Sequence, residues 1–483
     1  MPTIRIYQTH IEVYPYTEGD CSQLEMMLSV WISQTFTRNK LAYSVIDHTL
    51  YIPRGVNITF LERAFNTKAI MMTEPDEYGF IKSKISPKYN PRNKIQEDCI
   101  NFLCGENGFG RSLRYSQISL NADTGDGKTF CMVYSIVKLG YRTLIITHID
   151  KIKHQWIKTC IDMFGFDPDR LADISGTQIM DYILQSDEVP DADIFFINHQ
   201  TLNSFMRKHT PAQFREFFNK LRIGIKVYDE AHLEFKNIVK IDMFSNTLKT
   251  VYLTATFDRS DPNESRVFKT AFNNVMKFGA QTLNYAEKRR HIVYFPILYN
   301  SNCPEYMETA MRNNYGFDSR KFFTYAWDTD ENHTMRRKLA ETLDRIKHVE
   351  GKILIISPKI ETCEGIRKFI EENMDLDKTV GTIHSKNSPD VNEASKECDI
   401  ISSTMKSCGT GVDIKGLRIL INLEPFSSTV TTNQMSGRLR EYAPDKDTYL
   451  FDLVDVSVKR CYEMYKTRLS FLKKKCKEIV MTK

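Results

Sequence analysis

Residues 122–129 read Ala-Asp-Thr-Gly-Asp-Gly-Lys-Thr, and they carry the strongest indication of fold and chemistry in the sequence. The run QISLNA leading into them predicts a strand, and FCMVYSIVKLG after them predicts a helix. Glycines let backbone N–H groups surround a phosphate, and the start of a helix favours negative charge. We therefore predict a nucleotide site in which Lys128 reaches the β- and γ-phosphates and the Thr129 hydroxyl binds Mg²⁺. The loop residues of this site are Thr124, Gly125, Asp126 and Gly127.

Two acids end a later apolar run, in the segment Asp229-Glu230-Ala231-His232. In a nucleotide-hydrolysing site Asp229 would hold Mg²⁺, and Glu230 would orient and deprotonate the attacking water. Adjacent acids at a strand end are common on protein surfaces, and the loop has Ala122 where the usual pattern has glycine. A glycine-rich turn with an unrelated acidic pair is therefore the alternative to a hydrolytic site.

Short apolar runs recur from about residue 84 onward, and each ends in a polar loop. Continuous runs of this kind are typical of buried parallel strands, and their alternation with amphipathic segments predicts a doubly wound α/β sheet. The pattern restarts midway, which predicts two α/β domains, at 84–283 and 284–483. The runs are RTLIITH, ADIFFIN, GIKVYDE and TVYLTAT in the first domain, and GKILIIS, KTVGTIH, CDIISST, RILINLE and TYLFDLV in the second.

Residues 1–83 lack the continuous apolar runs described above, and their pattern predicts a separate small α+β domain. The alternating segment IRIYQTHIEVYPY and the segment LAYSVIDHTLYIP indicate strands. Between them, CSQLEMMLSVWISQTF has the apolar spacing of a helix. No motif in this domain indicates a chemistry, so DNA binding and binding of a protein partner are both open for it.

Composition limits the class of protein further. The 483 residues fit about three domains, and the net charge of +5 permits a polyanionic partner. The sequence has no apolar run of about 18 residues, so we expect no membrane partner. The eleven cysteines are scattered without zinc-site spacing, which favours reduced thiols and a cytoplasmic location.

The order of these motifs resembles that of the superfamily-two helicases and translocases of the DEAH type. Within that group the chain is most similar to the phage branch-migration DNA helicases of the UvsW type. The resemblance implies two tandem RecA-like parallel-sheet domains behind a small N-terminal α+β accessory domain. It also implies ATP and Mg²⁺ as cofactors, with ATP in the cleft between the two domains and Lys128, Asp229 and Glu230 in hydrolysis. His232 would couple this site to the second domain, and Thr254 and Thr256 would link hydrolysis to DNA movement.

Further nucleotide contacts follow from the same resemblance. The segment PRNKIQEDCI is similar to the adenine-recognition segment of the family, with Gln96 as the adenine contact and Arg92 nearby. The segment SSTMKSCGTGVDIKGL implies that Gly411 and Asp413 lie near the ribose.

The segment Gln434-Met-Ser-Gly-Arg438-Leu-Arg440 resembles the arginine-finger motif of the family. The second arginine of that motif usually comes three residues after the first, where this chain has Glu441, and Arg440 comes one residue early. We expect Arg438 to be the finger and Gln434 and Arg440 to assist it.

Nucleic-acid contacts are also implied by resemblance. The candidates share a place at a predicted strand end or on the helix after it: Thr147, Gln200, Thr201, His384 and Thr404. Such groups contact phosphates and sugars, so we expect binding that is independent of sequence and weakened by salt. Trp156 and Trp327 are expected to be packed in cores rather than stacked on bases.

The combined motifs predict an ATP-dependent DNA helicase or translocase that unwinds or remodels single-stranded, forked or branched DNA. The phage resemblance implies roles in DNA recombination, repair and replication, and the host cytoplasm as the location. An RNA helicase is the nearest alternative, because no motif reveals groups that sense the 2′-hydroxyl. A non-catalytic nucleic-acid-binding module with a decayed ATPase is the alternative from another class.

Overall fold

A computed structural model gives the fold of residues 2–32, 37–72, 78–122, 127–186, 188, 190–254, 262–279, 290–313, 316–409, 412, 414–443 and 445–481. These residues fall into two compact units, which are described separately. The first contains the described residues up to 279, and the second contains those from 290 onward. Within the described ranges, no helix is both long and apolar enough to cross a membrane.

The first unit opens with a small α+β domain. Its five-stranded sheet has the order β5-β6-β2-β1-β7, in which β7 pairs in parallel with β1 and the other neighbours are antiparallel. Alternate residues of β1 and β2 are apolar and buried, which is why the two-residue periodicity of this segment predicts strands correctly. The elements are β1 Thr3–Ile6, β2 His10–Tyr14, α1 Ser22–Met27, β3 Ser29–Ile32, β4 Thr37–Lys40, β5 Ser44–Ile46, β6 Thr49–Pro53, α2 Ile58–Phe65 and β7 Ala69–Met71.

The helix expected over CSQLEMMLSVWISQTF is only partly present. Helix α1 ends at Met27, and Ser29–Ile32 forms a strand instead. This strand pairs with Thr37–Lys40 in an antiparallel ladder. Val, Trp and Ile favour strands, and the partner strand supplies hydrogen bonds that a helix would have made internally.

A seven-stranded parallel sheet follows, with the order β10-β11-β9-β12-β13-β8-β14. Helices connect its strands, as parallel pairing requires. The elements are α3 Lys94–Cys104, β8 Gln117–Asn121, α4 Lys128–Leu139, β9 Thr143–Thr147, α5 Asp150–Thr159, β10 Leu171–Ile174, α6 Thr177–Gln185, β11 Ile194–Asn198, α7 His199–Lys208, α8 Pro211–Leu221, β12 Ile225–Tyr228, α9 Phe235–Phe244, β13 Lys249–Thr254, α10 Pro262–Ala271 and β14 Met276–Gly279.

The second unit repeats this architecture. Its sheet has the order β19-β20-β18-β21-β22-β15-β23, again with seven described strands in parallel. The elements are β15 Ile292–Tyr299, α11 Glu305–Ala310, β16 Arg312–Asn313, β17 Gly316–Phe317, α12 Ser319–Thr324, α13 Thr334–Ile346, β18 Lys352–Ser357, α14 Ile360–Asn373, β19 Val380–Ile383, α15 Pro389–Ser395, β20 Ile400–Thr404, α16 Met405–Gly409, β21 Leu417–Asn422, α17 Thr429–Ser436, β22 Thr448–Asp455, α18 Lys459–Lys475 and β23 Glu478–Ile479.

The predicted fold class is confirmed: two tandem RecA-like parallel-sheet domains accompany a small N-terminal sheet domain. Strand after strand is buried along its whole length, which explains why the apolar runs are continuous rather than alternating.

The N-terminal domain shares a hydrophobic core with the RecA-like domain of its own unit. Tyr51 packs on Phe244 of α9 with ring centroids 5.1 Å apart. The Thr9 hydroxyl donates to the Ser245 carbonyl at 3.0 Å. Because apolar side chains of both parts form one cluster, the N-terminal domain is an integral part of the first unit.

Candidate functional site

The predicted phosphate loop falls between β8 and α4, which are the strand and helix that the sequence predicts around it. Helix α4 begins at Lys128, and the residue before it, Gly127, has a φ of +85°. This φ lies in the left-handed region that favours glycine, and a Cβ atom at Gly127 would lie 2.5 Å from Nε2 of Gln96, which would then have to move. The Lys128 ammonium donates to the Ala122 carbonyl at 2.9 Å, and Thr129 is half-buried on the first turn of α4. The other predicted loop residues, Thr124, Gly125 and Asp126, lie outside the described residues.

The predicted adenine-recognition segment lies beside this loop. Gln96 is buried on the first turn of α3, where its backbone N–H donates to the Asn93 side chain at 3.0 Å. Its side-chain oxygen accepts from the Arg92 backbone N–H at 3.0 Å, whereas the Arg92 side chain is exposed. The contact between Gln96 and Gly127 therefore brings two segments together that are about 30 residues apart in the sequence.

The acidic segment follows β12, two strands away from β8 in the sheet. Asp229 is buried and held by two donors: the Trp156 indole N–H lies 2.7 Å from Oδ2, and the Glu230 backbone N–H lies 3.0 Å from Oδ1. Glu230 has a φ of 48° and a ψ of 47°, in the left-handed region. A non-glycine residue there costs about 1 kcal/mol or more, and such strain is common at functional sites.

Burial raises the pKa of Asp229 to about 6, and the neighbouring Glu230 carboxylate adds to this shift. The hydrogen bond from Trp156 and the charge of Lys128 oppose the shift, so these groups favour the ionised carboxylate.

A magnesium nucleotide fits the described residues. A carboxylate and a hydroxyl are oxygen ligands of the kind Mg²⁺ prefers, here from Asp229 and Thr129. The start of α4, with Gly127 before it and the Lys128 ammonium beside it, is the kind of helix N-terminus that favours a phosphate. When bound, Mg²⁺ neutralises charge on the phosphates.

His232 links the acidic segment to the neighbouring strand. Its Nδ1 atom lies 2.9 Å from the Thr254 hydroxyl at the end of β13, and 3.4 Å from Oε2 of Glu230. Both His232 and Thr254 are buried. Thr256, the second threonine of that motif, lies outside the described residues.

The predicted nucleic-acid residues of the first unit lie where β9 and β11 end, at the edge that also carries the acids. Thr147 is fully buried, and its hydroxyl donates to the Asn198 side chain at 2.6 Å. The Asn198 amide in turn donates to Asp150 at 2.6 Å. Thr147 thus ties two strand ends together, whereas Gln200 is exposed and Thr201 half-buried on α7.

In the second unit, two predicted nucleic-acid residues lie at the ends of the neighbouring strands β19 and β20: His384 follows β19, and Thr404 is the last residue of β20. His384 is buried, and its Nε2 atom lies 2.8 Å from Oε1 of Glu364. The Thr404 hydroxyl accepts from the Ser407 backbone N–H at 3.1 Å and so begins α16. The predicted ribose contacts Gly411 and Asp413 lie outside the described residues.

The arginine-finger segment begins on α17 and continues beyond it. Gln434 lies half-buried on the helix, which ends at Ser436. Arg438 is half-buried, and its Nη1 donates to the Val412 carbonyl at 2.6 Å. Arg440 is exposed, so the two arginines differ in their surroundings.

Three polar contacts to the predicted residues, two in the first unit and one in the second, do not follow from the sequence. Trp156 was expected to be core, and it is buried, but its N–H also orients Asp229. Asn198 and Glu364 hold Thr147 and His384, respectively. The only signal for Asn198 was its place at the end of an apolar run, and Glu364 lies within an ordinary amphipathic helix.

Comparison with known families agrees with this geometry. Residues 91–259 match the family described as "Type III restriction enzyme, res subunit", and residues 335–441 match the "Helicase conserved C-terminal domain". The chain belongs to the superfamily-two helicases. Each matched range lies within one RecA-like domain and includes the predicted motif residues of that domain.

Solved structures share the fold of this helicase at low sequence identity. Dbp5 of S. cerevisiae, bound to RNA and ADP BeF3, is 14% identical with a TM-score of 0.52 over 80% of this chain and 89% of that chain. A fragment described as a candidate HsdR subunit of a type I restriction enzyme from Vibrio vulnificus is 13% identical with a TM-score of 0.53, over 82% and 69%. T4 UvsW is 13% identical over 99% of both chains, with a TM-score of 0.36 that lends no support. No curated protein sequence matches the chain.

Proposed function

We propose that this superfamily-two helicase hydrolyses ATP with Mg²⁺ and uses the energy to unwind or remodel forked and branched DNA. The observation that carries the proposal is the assembly of the first unit: Lys128, Asp229, Glu230 and His232 come together at one edge of a parallel sheet. In such sheets, ligands bind at the carboxyl ends of the strands.

In this proposal the first unit binds the nucleotide and activates the water. Gln96 contacts adenine, Lys128 contacts the β- and γ-phosphates, and Thr129 and Asp229 hold Mg²⁺. Glu230 orients the attacking water and accepts its proton. The nearby Lys128 charge and the Trp156 hydrogen bond keep Asp229 available as a carboxylate.

The second unit contributes Arg438 as the arginine finger, with Gln434 and Arg440 assisting. A finger of this kind contributes on the order of 10³–10⁵ in rate. The experiment is hydrolysis by Arg438→Ala and Arg440→Ala with nucleotide affinity measured beside it. A large loss in the first variant alone, at unchanged affinity, would assign the finger to Arg438.

DNA is proposed as the polymer because the motif order resembles that of DNA branch-migration helicases. The side chains of Gln200, Thr201 and Thr404 would contact phosphates and sugars, so binding would be independent of base sequence. Thr147 and His384 would act in this scheme by supporting the surrounding backbone, since both side chains are buried.

The decisive experiment is steady-state ATP hydrolysis alone and with single-stranded DNA, forked DNA, a four-way junction and single-stranded RNA. Lys128→Ala serves as the inactive control. Stimulation by forks or junctions supports the proposal, and displacement of a labelled strand from the fork then tests unwinding directly. Stimulation by RNA alone would replace DNA by RNA as the substrate. Absence of hydrolysis with every polymer would favour a binding module without ATPase activity.

A further inference from the structure

Trp156 connects the acidic segment to the helix that follows β9. Its indole ring is 1% exposed, and its N–H donates to Oδ2 of Asp229 at 2.7 Å. The other carboxylate oxygen of Asp229, Oδ1, accepts a hydrogen bond from the backbone N–H of Glu230 at 3.0 Å. Each carboxylate oxygen therefore has one donor, which fixes the plane of the carboxylate and leaves further lone pairs open.

The opposite face of the same helix is polar and exposed. Helix α5 spans Asp150–Thr159, and these side chains face solvent: Lys151, His154, Gln155 and Lys158. The first residue of α5, Asp150, accepts a hydrogen bond from the side-chain amide of Asn198. The side-chain oxygen of Asn198 in turn accepts a hydrogen bond from the Thr147 hydroxyl. One end of α5 is thus fixed to the predicted nucleic-acid edge, and its buried face is bonded to the predicted metal ligand.

A second bond joins the same two segments. Nδ1 of His148, just before α5, lies 3.0 Å from Oε1 of Glu234, just after the acidic segment. The Glu234 side chain also accepts the amide of Asn237 at the start of α9. Hydrogen bonds at both ends of the 148–156 segment mean that a shift of this segment would also displace side chains of residues 229–234.

We propose that Trp156 is a positioning residue that holds the Asp229 carboxylate in its metal-binding orientation and makes that orientation depend on the placement of α5. This role rests on the proposed function, because it assigns Mg²⁺ to Asp229 and nucleic acid to the strand ends beside α5. A neutral indole suits the role, because it orients the carboxylate without adding a positive charge that would repel Mg²⁺.

Trp156→Phe tests the proposal because it keeps an aromatic ring and deletes the donor. Binding of a fluorescent ATP analogue is measured with EDTA and over a Mg²⁺ titration. We expect unchanged affinity in EDTA and about a tenfold higher Mg²⁺ concentration for half-saturation, the effect of losing one hydrogen bond to a charged group. Stimulation of ATP hydrolysis by the best polymer should fall by a similar factor.

Trp327→Phe is the matched control. Trp327 is also buried, but it belongs to the second unit and packs on Phe323 and Arg336. This variant should leave the Mg²⁺ titration unchanged. An equal effect of both substitutions would show general loosening of the fold and would overturn the proposal.

Replacement of Trp156 by β-(3-benzothienyl)alanine, which has sulfur in place of the N–H group, keeps the shape and protects the test against a folding defect. A wild-type Mg²⁺ titration with this residue overturns the positioning role. A wild-type chain that binds the nucleotide but hydrolyses none refutes the proposed ATPase, while the titration still decides the role of Trp156. A wild-type chain that binds no nucleotide overturns both.

Discussion

Nδ1 of His232 lies 2.9 Å from the hydroxyl of Thr254, and the pair joins the acidic segment after β12 to the end of the neighbouring strand β13. Both side chains are buried, so solvent does not compete for this bond. The bond is therefore a direct physical link between the residues proposed to hydrolyse ATP and the motif proposed to move the nucleic acid.

Thr254→Val should separate ATP hydrolysis from strand separation. Valine keeps the shape of the side chain but cannot bond His232, so Glu230 stays in place while the link is lost. We expect ATP turnover within about threefold of wild type and strand displacement reduced by about tenfold, the effect of one buried hydrogen bond. Parallel measurement of phosphate release and strand displacement checks this. A proportional fall in both rates would contradict a coupling role.

The pH dependence of hydrolysis should report on Asp229. Its pKa of about 6 means that the carboxyl is protonated as pH falls through that value, and a protonated carboxyl is a poor ligand for Mg²⁺. We expect activity to fall below pH 6, and the midpoint to move to lower pH when Mg²⁺ is raised, because the ion and the proton compete. Rate profiles from pH 5 to 8 at two Mg²⁺ concentrations test this. If the pH midpoint is the same at both Mg²⁺ concentrations, the loss of activity is due to another titrating group.

His199 should make the first unit sensitive to acid. Burial lowers the pKa of His199 from 6.5 to about 4, so between these values the unfolded chain binds a proton that the folded chain does not. Stability is therefore lost as pH falls below 6.5, and this group contributes about 2 kcal/mol of that loss at pH 5. His199→Phe should reduce the difference in unfolding free energy between pH 7.5 and pH 5 by that amount in urea titrations. An unchanged difference would contradict the assignment.

The second unit contains a buried ion pair between Arg468 of α18 and Asp452 of β22. Both are at most 1% exposed, and two guanidinium nitrogens each lie 3.0 Å from a carboxylate oxygen. Arg468→Met leaves the acid uncompensated and should cost about 3–5 kcal/mol of unfolding free energy. Arg460→Met on the exposed face of α18 is the control, with an expected change within about 0.5 kcal/mol. Similar thermal melting of both variants would contradict the expected cost.

Gly55→Ala should weaken the attachment of the N-terminal domain. A Cβ atom there would lie 2.3 Å from the carbonyl oxygen of Ala271, at the end of α10, so one backbone has to move. We expect a destabilisation of about 1–3 kcal/mol and faster proteolysis of the N-terminal domain. Melting curves and limited proteolysis check this, and wild-type behaviour in both would show that the contact with Ala271 accommodates the added methyl group.

The parallel sheets were predictable because fully buried strands require continuous apolar runs, as in Leu144–Ile146 and Ile194–Ile197. The strand Ser29–Ile32 was missed because its apolar spacing also fits a helix, and the choice depended on the partner strand at 37–40. The apolar spacing of one strand does not reveal whether such a partner strand pairs with it.

The residues proposed to bind the nucleotide followed from motifs, and their neighbours did not. Lys128 and Asp229 occur in short segments of fixed spacing, so sequence alone points to them. Trp156 lies 73 residues before Asp229, and no local sequence pattern indicates that its N–H donates to that carboxylate. His384 has the same relation to Glu364, which lies within the preceding helix α14.

The shared core of the N-terminal domain has a consequence for synthesis of the chain. The segment up to residue 72 leaves the ribosome before α9 and α10, which end at Phe244 and Ala271. At about 5–20 residues per second, the nascent domain waits on the order of 10–40 s for the last of these helices. During that interval the face that carries Tyr51 and Gly55 has no partner. Recombinant yield should therefore depend on chaperone supply more strongly than the stability of the finished protein suggests.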